Sequence, residues 1–173
     1  MKSRPRHPMR NSVFRISALA VFLVSCSTHP TKSAPDALDT QRLIRVPAQL
    51  GAAGVDQVTS ALRARYGVAS GTPLSPFVNS KAAVSLDDGA VIVQTVTNPD
   101  ARDVRVDLAA KPCLPIARAA EWIGAKRMLA TAGSDIVTGH VDYRFDSAEV
   151  RIDLTGEYGG EECLRVIELY KQP

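Results

Sequence analysis

Histidine is scarce in this chain. Three occur in 173 residues, and only His140 lies beyond residue 30. A Ser-His-Asp triad would have to be assembled around that single imidazole. His140 sits in a segment that alternates as a strand, on the face shared with Asp142 and Arg144, and a solvated strand face accounts for all three. Signature motifs are missing too. There is no G-x-S-x-G, no H-E-x-x-H, no phosphate-binding G-x-x-x-x-G-K-[ST] loop and no G-x-G-x-x-G, so no catalytic group or cofactor is predicted. Aromatic residues make up only 5%, with one tryptophan, which leaves few large side chains to line a roomy apolar cavity. Long apolar runs are absent. Residues 16–24 (ISALAVFLV) form a short one, well below the roughly 20 residues of a spanning helix.

That short run has a particular setting. Lys2, Arg4, Arg6, Arg10 and Arg15 precede it with no acidic residue, and it ends in Leu23-Val24-Ser25-Cys26. Basic start, apolar stretch and small residues at a cut site are the parts of a secretory signal. The final tetrapeptide resembles the lipobox of bacterial lipoproteins. The resemblance implies that residues 1–25 are removed and that Cys26 carries diacylglycerol and an acylated N-terminus. Ser27, in place of the aspartate that favours inner-membrane retention in enteric lipoproteins, implies sorting to the outer membrane. The expected address is therefore the cell envelope, lipid-anchored, at the periplasmic face of that membrane, with the bilayer as a partner. Several acyl chains, at about 0.8 kcal/mol per buried methylene, make a stable anchor.

Removal of the signal changes the electrostatics. Five of the 21 Lys and Arg lie in residues 1–25, leaving 16 against 18 acidic residues, so the remaining 148 residues carry about −2 rather than +3. Net charge therefore gives no argument for nucleic-acid binding. Besides Cys26, only Cys113 and Cys163 remain, and in an oxidising compartment these two form one disulfide. Closing that 50-residue loop is worth about 4 kcal/mol in the chain-entropy model.

Residues 26–41 are rich in Ser, Thr, Pro and Asp and read as a flexible tether, with one globular domain over residues 42–173. Leu43, Ile44 and Val46 form a candidate first strand. Val55, Val58, Leu62 and Tyr66 recur at helical spacing, with Gly67 as the stop. Asp87-Asp88-Gly89 between apolar runs predicts a hairpin whose second arm covers residues 90–97, with Val91 and Val93 on one face and Ile92, Gln94 and Val96 on the other. In 103–108 (DVRVDL), Val104, Val106 and Leu108 point inward and Arg105 and Asp107 outward. Residues 115–130 read as a second helix, followed by strands over 137–145, 149–154 and 163–170. The fold class is α+β, mainly antiparallel sheet with two helices. It reads either as a duplicated helix-plus-three-strand unit, with DVRVDL matched to EVRIDL, or as one continuous sheet with both helices on one face.

Two carboxylate pairs, Asp87-Asp88 and Glu161-Glu162, raise the question of two-carboxylate hydrolysis. Both fall beside glycine in turns, where Asp and Glu serve local hydrogen bonding, and Asp87-Asp88 lacks the spacing of a calcium loop, so no metal is expected. The candidate contact loop is 155–161 (TGEYGGE) with Glu162, in which Glu157, Tyr158, Glu161 and Glu162 present an exposed aromatic among acids. The expected function is a non-enzymatic protein-binding module of the envelope, an inhibitor or immunity-type protein or an accessory of an envelope machine. An envelope hydrolase with an unidentified carboxylate site is the alternative.

Overall fold

The computed structural model describes residues 37–74, 83–98, 102–129, 139–158 and 160–173. All lie within one compact unit, Ser33–Pro173. The signal segment and Cys26 lie outside the described residues. Among those described, no helix is long and apolar enough to cross a membrane.

The first element is a helix, α1 (Thr40–Tyr66), where the sequence reading placed a tether end and a short strand. Asp39 caps it, accepting a 2.6 Å hydrogen bond from the Arg42 N–H. Thr40, Leu43, Ile44, Pro47 and Gly51 are buried, which is helical rather than strand periodicity. The packed unit begins at Leu38, 2% exposed, ahead of the expected boundary at residue 42. Pro47 and Gly51 mask the helix in the sequence. The backbone breaks at Gly51 (φ 58°, ψ −136°), so α1 is two helical arms, 40–50 and 52–66. A Cβ at Gly51 would overlap the Glu149 side chain, and one at Gly54 would strike the Val46 carbonyl across the bend. The second arm matches expectation, ending at Gly67 (φ 66°) with Gly67 and Val68 N–H groups donating to Ala64 and Arg63 carbonyls.

Seven strands follow: β1 (Val84–Ser85), β2 (Val91–Thr97), β3 (Asp103–Leu108), β4 (Lys126–Arg127), β5 (His140–Asp146), β6 (Val150–Glu157) and β7 (Leu164–Lys171), with a short helix α2 (Ile116–Glu121) between β3 and β4. They make one antiparallel sheet in the order β1-β2-β3-β7-β6-β5-β4. The fold is α+β with a dominant antiparallel sheet. Two meanders meet where β3 pairs β7, and each follows a helix. DVRVDL is β3 and EVRIDL covers the start of β6; β3 is the last of three strands after α1 and β6 the third of four after α2, so the two meanders differ in length.

The second helix is six residues long, not sixteen. Gly124 (φ 68°) closes it, with the Ala125 N–H donating to the Ala120 carbonyl, and the chain turns into the edge strand β4. The hairpin phase also differs from expectation. A bulge between Ile92 and Gln94 puts Ile92, Thr95 and Thr97 inward and exposes Val93. Elsewhere the alternation holds. Val104, Val106 and Leu108 of β3, Val150, Ile152 and Leu154 of β6 and Ile167 and Leu169 of β7 are buried in one core, with α1 packed on β6 and β7 and α2 on β6. Each such side chain contributes about 1.5–3 kcal/mol.

Candidate functional site

Because both helices pack on one side, the opposite side of the sheet is open among the described residues. The pleat decides what it shows. Residues alternating with the buried set, across paired strands, are Asp103, Arg105 and Asp107 of β3, Val166, Glu168 and Tyr170 of β7, Arg151, Asp153 and Thr155 of β6, Asp142, Arg144 and Asp146 of β5, and Lys126 of β4. Most are tied into a lattice. Arg105 bridges Asp107 (2.9 Å) and Glu168 (3.1 Å). Arg144 holds Asp153 at 2.6 Å, and Arg151 approaches the same carboxylate at 3.2 Å. The Thr155 hydroxyl donates to Asp142 at 2.6 Å. The Arg151 guanidinium lies 4.1 Å above the Tyr170 ring. Burial of Tyr170, with Glu168 beside it, raises the phenol's pKa above its ordinary value. Exposed pairs of this kind each add little stability, about 0–1 kcal/mol. Their effect is to hold long side chains in fixed positions.

The loop joining β6 to β7 borders this face. Tyr158 is 50% exposed, as the sequence reading expected. Glu157 ends β6 and pairs with Arg165 at 2.7 Å, which lowers its carboxyl pKa. Glu162 accepts from Arg127 at 3.2 Å, and its carbonyl accepts from the Ile116 N–H. Glu161 lies beside the Cys113–Cys163 disulfide. That disulfide is present, with a Cα separation of 5.2 Å, and it staples the loop to the start of α2. Glu157 and Tyr158 therefore sit at the sheet's end, while Glu161 and Glu162 are tied toward the helix side.

The Asp87-Asp88 pair does structural work. Asp87 accepts from the Leu38 N–H at 2.6 Å and pairs with Arg65 at 2.5 Å, and Asp88 accepts from the Thr40 N–H at 2.9 Å. The hairpin turn thus caps α1 from outside. The Arg65 hydrogen bond and the Leu38 N–H hold the Asp87 carboxyl pKa down, the direction opposite to that of a general acid. His140 is exposed, opposite Glu157 in the register. Tyr143 and Phe145 pack partly buried on the inner face, as does Trp122 against the core.

The sequence reading missed the lattice as a unit. Its one local signal is the outward set of DVRVDL and EVRIDL. Comparison of the chain with family models, curated protein sequences and solved structures finds no match.

Proposed function

We propose that this chain is an exported lipoprotein, anchored through acylated Cys26 at the periplasmic face of the outer membrane, and that it works as a protein-binding module without catalysis of its own. The lipobox-like Leu23-Val24-Ser25-Cys26 after a basic start and a short apolar run supports the anchor. The Cys113–Cys163 disulfide is in keeping with an oxidising compartment. Eleven residues separate Cys26 from Leu38, the first packed side chain among the described residues, so the domain stays within about 40 Å of the bilayer.

The observation that carries the binding part is the open sheet face, where Arg151 stacks on Tyr170 inside the ion-pair lattice. Arginine and tyrosine are the residue types that dominate interface energetics, and here both are held in place before any partner arrives. With Glu157, Arg165 and Lys126, which pairs in register with Arg144 on the edge strand, the face holds five cations (Arg105, Lys126, Arg144, Arg151, Arg165) and seven carboxylates (Asp103, Asp107, Asp142, Asp146, Asp153, Glu157, Glu168), so it complements a basic surface. Tyr158 and Glu157 extend it at one end.

The test is detergent-solubilised envelope, without cross-linking, captured on the full chain and on an Arg151→Ala/Tyr170→Ser variant. A stoichiometric protein should copurify with the parent and be lost both with the variant and at high salt, while the variant keeps its urea midpoint within about 0.5 M. Equal recovery on parent and variant, or no stoichiometric protein at all, defeats the reading.

A further inference from the structure

On the helix side, away from the open face, a cleft of about 300 Å³ opens between the start of α1, the β1–β2 turn and α2. Its two walls carry opposite charge. Asp39 and Asp88 come from the α1 cap and the turn; Arg118 and Trp122, four residues apart on one face of α2, stand on the other side; Leu114 and Pro112 supply an apolar strip. Arg118 is exposed and forms no ion pair among the described residues. Thr40 lines the floor, is fully buried, and its hydroxyl has no hydrogen-bond partner.

We infer that this cleft binds a small zwitterion with a free ammonium and a free carboxylate, of the size of a dipeptide. The two acids already accept backbone N–H groups, from Arg42 to Asp39 and from Thr40 and Ala90 to Asp88. An ionised carboxylate offers about four acceptor sites, so each has capacity left for an ammonium. Arg118 takes the carboxylate, in a bidentate pair if the approach is coplanar. Two carboxylates are offset by one guanidinium and the positive end of the α1 dipole, so the cleft is close to neutral overall. That balance disfavours an ion of either single sign and favours a ligand carrying both. The inference is independent of the docking reading, since it uses none of the open-face residues.

The chain's single tryptophan lies in this cleft, so its emission reports occupancy directly. The full chain in detergent is titrated with alanyl-leucine, with its N-acetyl form and with its C-terminal amide. A saturable change with the free dipeptide is expected, at least about tenfold weaker with either blocked form, since each loses one charge-assisted contact. Arg118→Gln should weaken the free dipeptide by a similar factor and leave the amide unchanged. No saturable response up to about 10 mM overturns the assignment, as do equal responses from all three peptides. A response that appears only after residues 27–35 are deleted gives the cleft to the chain's own preceding segment and overturns it as well.

Discussion

Gly51 is the residue on which the shape of α1 turns, and its replacement by alanine gives a calculable outcome. At φ 58° and ψ −136° the backbone occupies a region open to glycine and strained for any L side chain, at about 1–3 kcal/mol. The new Cβ would also overlap Glu149: the exposed carboxylate can swing aside, but the Glu149 Cβ, 2.9 Å from the new atom, moves only with a small backbone shift, and that part adds about 1 kcal/mol. Gly51→Ala should therefore lose about 2–4 kcal/mol, a fall of roughly 1–2 M in the urea midpoint. Glu149→Ala alone should stay within about 0.5 kcal/mol of the parent, and the double variant should regain no more than about 1 kcal/mol, because strain rather than overlap dominates. Gly51→Asn should not rescue, since asparagine tolerates the left-handed helical region near ψ 45° and not ψ −136°. The assay is equilibrium urea unfolding of the parent and the four variants. A Gly51→Ala midpoint equal to the parent's would refute the bend as described, and full recovery in the double variant would show that contact with Glu149, not backbone conformation, sets the loss.

Two further outcomes follow from the same geometry. Replacing both Cys113 and Cys163 by alanine should lower stability by about 2–4 kcal/mol and loosen the β6–β7 loop first; amide exchange of Leu164 and Ile116, which hydrogen-bond to Leu114 and Glu162 across the staple, should rise before that of β3. Asp87 and Glu157 both have carboxyl pKa values depressed in the folded chain, so each stabilises the fold above the ordinary carboxylate range and loses that effect as pH falls through its folded value. Stability should thus hold from neutrality to about pH 5 and decline below about pH 4, and Asp87→Asn should flatten part of that decline. An acid limb identical in parent and variant would contradict the role given to Asp87.

Much of the sheet is legible in the sequence because a half-buried strand writes its two faces as an alternation. DVRVDL and EVRIDL do so cleanly, and Asp87-Asp88-Gly89 announces its turn. The features that escaped are those whose cause is distant. The first arm of α1 has helical spacing at Leu43, Ile44 and Pro47, but a proline and a glycine in the same stretch argue locally for a break, and beside the local Asp39 cap its start is held by Asp87 and Asp88, nearly 50 residues away. The bulge at Val93 reverses a face with no glycine or proline to mark it. Gly124, inside the stretch 115–130 expected to be helical, ends the helix instead. The open-face site is half visible: the outward arginines and acids can be read from the pleat, but the Arg105–Glu168 pair joins residues 63 apart and exists only because β3 lies beside β7. The contact loop shows the same split, with the exposure of Tyr158 readable from its glycines and the tie of Glu162 to Arg127 readable only from the fold.

Whether this domain works tethered to a bilayer is decided by one mass. The chain, expressed with its own first 25 residues and extracted from the membrane fraction, should give an intact mass beginning at Cys26 and increased by a diacylglyceryl group and an acyl chain, with a Cys26→Ser form that is neither cut nor lipidated. A parent chain that retains residues 1–25, or that is cut there and carries no lipid, would contradict the account.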